Sequence, residues 1–159
     1  TAFNALLSAI PGDIVFKIDD DDQYSTSYAT DMVGALRYSG APIVGKSSVH
    51  VLLRDGRRLL LPGGPYEEVD LVYGPTITFR RDAWERIRFP ARRSRVDSKF
   101  LWGAKAAGLA VVSHHALDFL FVRHGADHAW GASDDYFAAS GSPTDWSWSD
   151  LDTTDVDVG

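Results

Sequence analysis

Four consecutive aspartates, Asp19 to Asp22, directly follow the apolar stretch "DIVFKI". In an extended segment alternate side chains point to the same side, so Asp19 and Asp21 would share one side with Cα atoms about 6.6 Å apart. Carboxylates at that spacing can bracket Mg²⁺ or Mn²⁺, which prefer oxygen ligands and keep positions for water and a substrate phosphate. The same residues also suit a hydrated acidic loop in which Asp22 caps the next helix. The residues alone leave both interpretations open.

A second candidate for chemistry is Asp97, which opens the segment "DSKFLWGAKAAG". A carboxylate can act as a general base on a hydroxyl that lies within hydrogen-bond reach. Aspartate at the start of a helix is also a favoured N-cap. The position of Asp97 is therefore compatible with a catalytic or a structural role.

The elements that would position these carboxylates follow from the spacing of apolar residues. A strand over residues 13–18 ends at the aspartates, a helix covers residues 25–40 and stops at Gly40, and a hairpin turns at Asp55 and Gly56. A further helix runs from Asp97 to Gly108, and residues 70–74 are predicted to form a strand. Strands that alternate with helices indicate an α/β fold, a mixed β-sheet with flanking helices, in which ligands gather at the carboxyl ends of strands.

Composition and charge narrow the classes of function. The net charge of −6 argues against a protein that grips nucleic acid, and no apolar run is long enough for a membrane span. With no cysteine and no signal peptide at its start, the chain is expected to be cytoplasmic. Ten of the sixteen Lys and Arg residues lie within residues 54–95, which predicts a solvated basic face or an approach for an anionic ligand. Residues 1–130 are expected to form the domain, and residues 131–159 an acidic, flexible tail.

Five segments occur in an order that resembles family 2 glycosyltransferases of the GT-A fold. They are "GDIVFKIDDDDQYSTSYATDM", "PIVGKSS", "VYGPTITFRRDAWERIRF", "VDSKFLWGAKAAGLAVVS" and "FVRHGADHAW". The resemblance covers residues 1–130 and implies a partial GT-A, Rossmann-like fold. The first strands of that fold, which form the pocket for the nucleotide base, have no counterpart here. The resemblance therefore implies the C-terminal half of such an enzyme, which holds the metal and the acceptor.

The resemblance also implies roles for individual residues. Asp97 would be the catalytic base, Asp21, Asp22 and His128 would hold the metal, and the donor would meet Asp19, Asp20, Gly74 and Arg123. The chain departs from the family pattern at Val96, where the family has Glu, at Pro75, and at Ala129. These departures bear on whether the full activity is retained.

The implied reaction moves a sugar from a nucleotide-diphosphate donor to a hydroxyl of a carbohydrate acceptor, with inversion. Its cofactor would be a divalent cation, Mn²⁺ or Mg²⁺, and cell-surface polysaccharide synthesis is one setting for it. A homo-oligomer is among the assemblies that the sequence allows. The alternative is a non-catalytic module that retains the fold and binds a sugar or a partner protein.

Overall fold

The computed structural model describes residues 2–91, 94–123 and 132–146 of the 159-residue chain. Its helices are α1 (Ala2–Ala9), α2 (Tyr28–Ser39), α3 (Arg81–Ile87), α4 (Val96–Ala106) and α5 (Asp134–Ser140), with a 3₁₀ helix at Gly74–Thr76. Its strands are β1 (Ile14–Phe16), β2 (Gln23–Tyr24), β3 (Ile43–Gly45), β4 (Val49–Leu52), β5 (Arg58–Leu61), β6 (Thr78–Arg80), β7 (Val111–Ser113), β8 (Phe119–Val122) and β9 (Ser142–Pro143). This arrangement confirms the predicted α/β class, and none of the helices in these ranges could cross a membrane.

The first sheet has the strand order β1-β6-β3-β7. Strand β6 is antiparallel to both β1 and β3, and β3 is parallel to β7. Strands β1, β3 and β7 therefore run in one direction and end at the same edge of the sheet. We call this edge the carboxyl edge. Strand β6 begins there, directly after the 3₁₀ helix.

The second sheet has the order β2-β8-β4-β5-β9 and contains the predicted hairpin. Strands β4 and β5 pair antiparallel, with Val49 opposite Leu61, and the turn between them includes Gly56 at a φ of 85°. Glycine adopts that conformation without the strain that a Cβ would impose. The presence of two sheets, rather than the single one predicted, comes from the split of residues 43–52 into β3 and β4, which join different sheets.

Both faces of the first sheet are covered, because alternate residues of its strands enter two different cores. Val15, Ile43 and Phe79 pack with helices α1, α3 and α4. Val44 packs on the opposite face with helix α2 and the second sheet, in a core that includes Met32. The carboxyl edge is thus held by apolar packing on both sides, which fixes the loops that leave it.

Residues 132–146 belong to the segment that was predicted to be a flexible tail. In the structure they contain α5 and β9. Phe137 of α5 is fully buried against the second sheet, and β9 pairs with β5. This buried aromatic ring, the two residue pairs between β9 and β5 and the ion pairs of Asp134 with Arg54 and Arg123 hold the segment on the sheet. Residues 147–159 lie outside the described residues.

Candidate active site

The carboxyl edge collects the polar residues that follow β1, β3 and β7. Lys17 and the aspartate run follow β1, Lys46 follows β3, and His114 and His115 follow β7. The 3₁₀ helix lies at the same edge because it leads into β6. The predicted position of the aspartates, at the end of a strand of an α/β sheet, is therefore confirmed.

Lys17 joins two of the predicted site carboxylates. Its Nζ donates to Asp19 Oδ1 at 2.7 Å and lies 3.6 Å from Asp97 Oδ2. Asp97 occupies the first turn of α4, whose N-cap is Arg95, so the predicted alternative of Asp97 as the N-cap is not what the structure shows. Burial raises the pKa of Asp97, while the Lys17 ammonium opposes that rise. A carboxylate with a raised pKa accepts a proton more readily than an ordinary one.

Gly74 lies directly against the carboxylate of Asp97. A Cβ added at Gly74 would overlap Asp97 Oδ2, so a residue with any side chain would push the carboxylate away. The structure thus brings together Asp19, Gly74 and Asp97, three of the site residues that the family resemblance implied. They come from the loop after β1, the 3₁₀ helix and α4.

The aspartate run forms a compact group of carboxylates. Oxygens of Asp19, Asp21 and Asp22 lie within 4.8 Å of one another, and Asp20 is exposed in the turn between them. The backbone N–H of Val122 donates to Asp22 Oδ1 at 3.0 Å. The second oxygen, Asp22 Oδ2, is buried and has no hydrogen-bond partner among the described residues. Burial is the main cause that raises the pKa of Asp22 to about 7, and the charges of Asp21 and Asp19 add to it.

This donor set fits a hard divalent cation. Three carboxylates close enough to share an ion, one of them with an orphaned buried oxygen, offer the ligands that Mg²⁺ and Mn²⁺ prefer. A cation would also return Asp22 to its charged form, because it offsets the desolvation that raises its pKa. The residues that could hold it are Asp19, Asp21 and Asp22.

Arg123 is not joined to this group by any described side-chain contact. Its guanidinium is buried against α5, where Nη2 donates to the Ala132 carbonyl at 2.6 Å and Nε lies 3.5 Å from Asp134 Oδ1. Only its backbone lies close, because the preceding residue, Val122, donates to Asp22. Its predicted contact with the donor stays a prediction. His128, the predicted third metal ligand, lies outside the described residues.

A second polar group, formed by Lys46, Asp118 and their neighbours, lies at the carboxyl edge and was not predicted from the sequence. Lys46 is fully buried, its Nζ lies 2.5 Å from Asp118 Oδ1, and it donates to the carbonyls of His115 and Leu117. Burial lowers the pKa of Lys46, and Asp118 opposes that shift. Asp31, His115 and Asp118 could also present ligand atoms to a metal, but Lys46 already supplies positive charge there. We therefore interpret this group as structural.

Among the solved structures that resemble this chain are two of S. aureus TarS, each with a TM-score above 0.5. The chain resembles S. aureus TarS 1–349 in complex with UDP-GlcNAc, with a TM-score of 0.59 and 19% identity over 84% of this chain and 42% of that one. It also resembles S. aureus TarS 1–349, with a TM-score of 0.52 and 19% identity over 75% of this chain and 38% of that one. No family model and no curated protein matches the sequence.

By its similarity to the TarS structures, the chain has a glycosyltransferase-like fold. It spans less than half the length of the TarS chains that it matches, and at this identity the similarity concerns the fold alone. Within this glycosyltransferase-like fold, Asp19, Asp21, Asp22, Gly74 and Asp97 gather at the carboxyl edge, which is where ligands of open α/β sheets bind.

Proposed function

We propose that this chain carries the metal-binding and acceptor half of a glycosyltransferase active site. The observation that carries the proposal is the cluster of Asp19, Asp21 and Asp22 beside Asp97 on a glycosyltransferase-like fold. The similar TarS structure contains UDP-GlcNAc, which supports a nucleotide-sugar as the donor class. The acceptor would be a carbohydrate hydroxyl, as in polysaccharide synthesis.

The reaction is a single displacement with inversion. Asp97 accepts the proton of the acceptor hydroxyl while the hydroxyl oxygen forms a bond to the anomeric carbon of the donor sugar. The bond from that carbon to the diphosphate oxygen breaks, and the nucleoside diphosphate leaves with its electron pair. Asp21 and Asp22 would hold a divalent cation, which would supply positive charge near the leaving diphosphate. Asp19 and Asp20 orient the donor, and Gly74, which has no side chain, leaves room for the Asp97 carboxylate beside the donor.

Donor binding tests the metal part of the proposal. We expect UDP-GlcNAc to bind the chain by isothermal titration calorimetry in the presence of Mn²⁺ and to bind far more weakly without it. Asp21→Asn should lower the affinity at least roughly tenfold, since it removes one ligand charge. Asp13→Asn is the matched control, because it removes the same charge from an exposed site before β1. Equal affinities in the two variants would contradict the proposed metal site.

The rate of UDP release from UDP-GlcNAc tests the role of Asp97. Water can replace the unidentified acceptor in this assay, so the measurement needs only the donor and Mn²⁺. Asp97→Asn should retain donor binding and lose roughly 100-fold or more of the rate, because the amide cannot accept the proton. An unchanged rate would exclude Asp97 as the base.

The second candidate function is a non-catalytic module that binds a sugar or a partner protein. Lys17 favours it, because an internal ammonium already balances Asp19 and Asp97 without a metal. The same titration separates the candidates. A binding module has no reason to bind Mn²⁺ and UDP-GlcNAc cooperatively, whereas the proposed transferase requires it.

A further inference from the structure

The hydroxyl of Tyr24 is bonded to two segments that belong to different parts of the site. The backbone N–H of Asp19 donates to the hydroxyl oxygen at 3.1 Å, and the hydroxyl donates to the Pro75 carbonyl at 3.0 Å. A phenol hydroxyl has one donor and two acceptor positions, so it can make both bonds at once. The two partners are 5 and 51 residues from Tyr24 in the sequence. One atom thus bridges two distant stretches of the chain.

The ring that carries this hydroxyl is fixed by its own packing. It contacts Tyr28 edge-on, with ring centroids 4.8 Å apart, and Phe119 at 5.1 Å. Tyr24 is also paired with Phe119 in the register of β2 and β8. The position of the hydroxyl is therefore set by α2 and the second sheet, and not by the two segments that it holds.

Each of the two segments carries part of the proposed active site. Asp19 begins the carboxylate cluster, whose far end is anchored by the bond from Val122 to Asp22. Pro75 follows Gly74, which lies against Asp97. A change in the position of the Tyr24 hydroxyl would alter the spacing between the carboxylate cluster and Asp97.

We propose that Tyr24 is a positioning residue that keeps the donor-binding carboxylates and Asp97 at their working separation, an inference that rests on the proposed transfer function. Tyr24 touches no reacting atom in this scheme and acts through the Asp19 amide and the Pro75 carbonyl. Because displacement of a catalytic group by about 1 Å can cost roughly 100-fold in rate, two lost hydrogen bonds at this point are expected to be visible in kinetics.

The test compares two variants that each lose one hydroxyl from adjoining rings. Tyr24→Phe keeps the ring and removes both bonds. Tyr28→Phe is the matched control, because the Tyr28 hydroxyl lies beside Thr78 and makes neither of the two bonds that bridge Asp19 and Pro75. In the UDP-release assay with UDP-GlcNAc and Mn²⁺, we expect Tyr24→Phe to lower kcat/KM roughly tenfold or more, with a fall in kcat. Tyr28→Phe should keep the wild-type kcat. Equal kcat values for the two variants would overturn the proposal and assign both hydroxyls a purely structural role.

A measurement without donor separates this inference from the proposed function. We expect hydrogen exchange of the Asp19 amide to be at least roughly tenfold faster in Tyr24→Phe than in wild type or Tyr28→Phe, because its acceptor is gone. An unchanged exchange rate would show that the Tyr24 hydroxyl does not hold the Asp19 amide, which would overturn the proposal. Faster exchange in a chain whose wild type releases no UDP would support the bridge and count against the transferase. The two failures are therefore distinguishable.

Discussion

The ammonium nitrogen of Lys17 lies 3.6 Å from Oδ2 of Asp97, although the two residues are separated by most of the domain in sequence. The same nitrogen donates to Asp19 at 2.7 Å. Lys17 is therefore the positive charge that allows Asp19 and Asp97 to share one site. Its contribution to the pKa of Asp97 can be tested directly.

Lys17→Met should raise the pKa of Asp97 further, since it removes the charge that opposes the effect of burial. A base must be deprotonated to act. A higher pKa of Asp97 therefore moves the acid limb of the plot of UDP-release rate against pH to higher pH. Stability should fall by about 1 kcal/mol in urea unfolding, because two carboxylates lose a partly buried partner. Lys105→Met removes a charge from the exposed pair with Asp70 and should leave the acid limb in place. An acid limb that does not move in Lys17→Met would contradict the assigned role.

Gly74→Ala is expected to separate activity from stability. The added methyl group would overlap the carboxylate of Asp97, which can rotate away at little cost because it is the end of a flexible side chain. We expect the unfolding free energy to change by less than about 1 kcal/mol and UDP release to fall roughly tenfold or more, since the base is displaced.

Gly103→Ala provides the matched control within α4. A Cβ at Gly103 meets no atom within 4 Å, so alanine should stabilise the helix by up to about 1 kcal/mol and leave UDP release unchanged. A Gly74→Ala protein with the wild-type rate would show that the contact with Asp97 does not position the base.

Local chemistry was sufficient to predict several elements from the sequence. Helix α2 ends at Gly40, and the β4–β5 hairpin turns at Asp55 and Gly56, because in both cases glycine permits a backbone conformation that other residues avoid. The aspartate run was also placed correctly at the end of β1, since an apolar run followed by charges has few other solutions.

Long-range pairing explains what the sequence did not predict. Polar residues Lys46 to Ser48 divide residues 43–52 into two strands. No local signal indicates that β3 pairs with β6 and β7 whereas β4 pairs with β5 and β8. The strand predicted over residues 70–74 does not form, and Gly74 begins a 3₁₀ helix. Lys17 was missed because its partner Asp97 reaches it only through packing of α4 on the first sheet.

Phe137→Ala is expected to test how firmly residues 132–146 are held. The Phe137 ring is fully buried and lies 5.8 Å from that of Phe121, so its removal should cost about 3–5 kcal/mol in urea unfolding. Tyr136→Ala removes the neighbouring, half-exposed ring and should cost much less. Equal losses in the two variants would show that α5 contributes no specific packing to the core.

His50 should make the stability of the chain depend on pH. Burial, together with the charge of Lys46, lowers the pKa of His50 from 6.5 to about 4. The unfolded chain therefore binds a proton at a pH where the folded chain does not. Above pH 6.5 His50 is neutral in both states and does not change the free energy of unfolding. As the pH falls from 6.5 towards 4, proton binding by the unfolded chain lowers the free energy of unfolding by an amount on the order of 3 kcal/mol in total.

His50→Phe should remove this dependence. Phenylalanine keeps an aromatic ring in place of the imidazole, which stacks on Trp146 with centroids 4.2 Å apart, and it removes a buried Nδ1 that has no hydrogen-bond partner among the described residues. Burial also lowers the pKa of His114 to about 4, so the difference between variant and wild type is the quantity to measure. Urea unfolding at pH 7.5 and pH 5 should show the variant losing on the order of 2 kcal/mol less than wild type. His50→Phe removes the imidazole that would be protonated. Equal losses of unfolding free energy in variant and wild type would therefore contradict the lowered pKa of His50 in the folded chain.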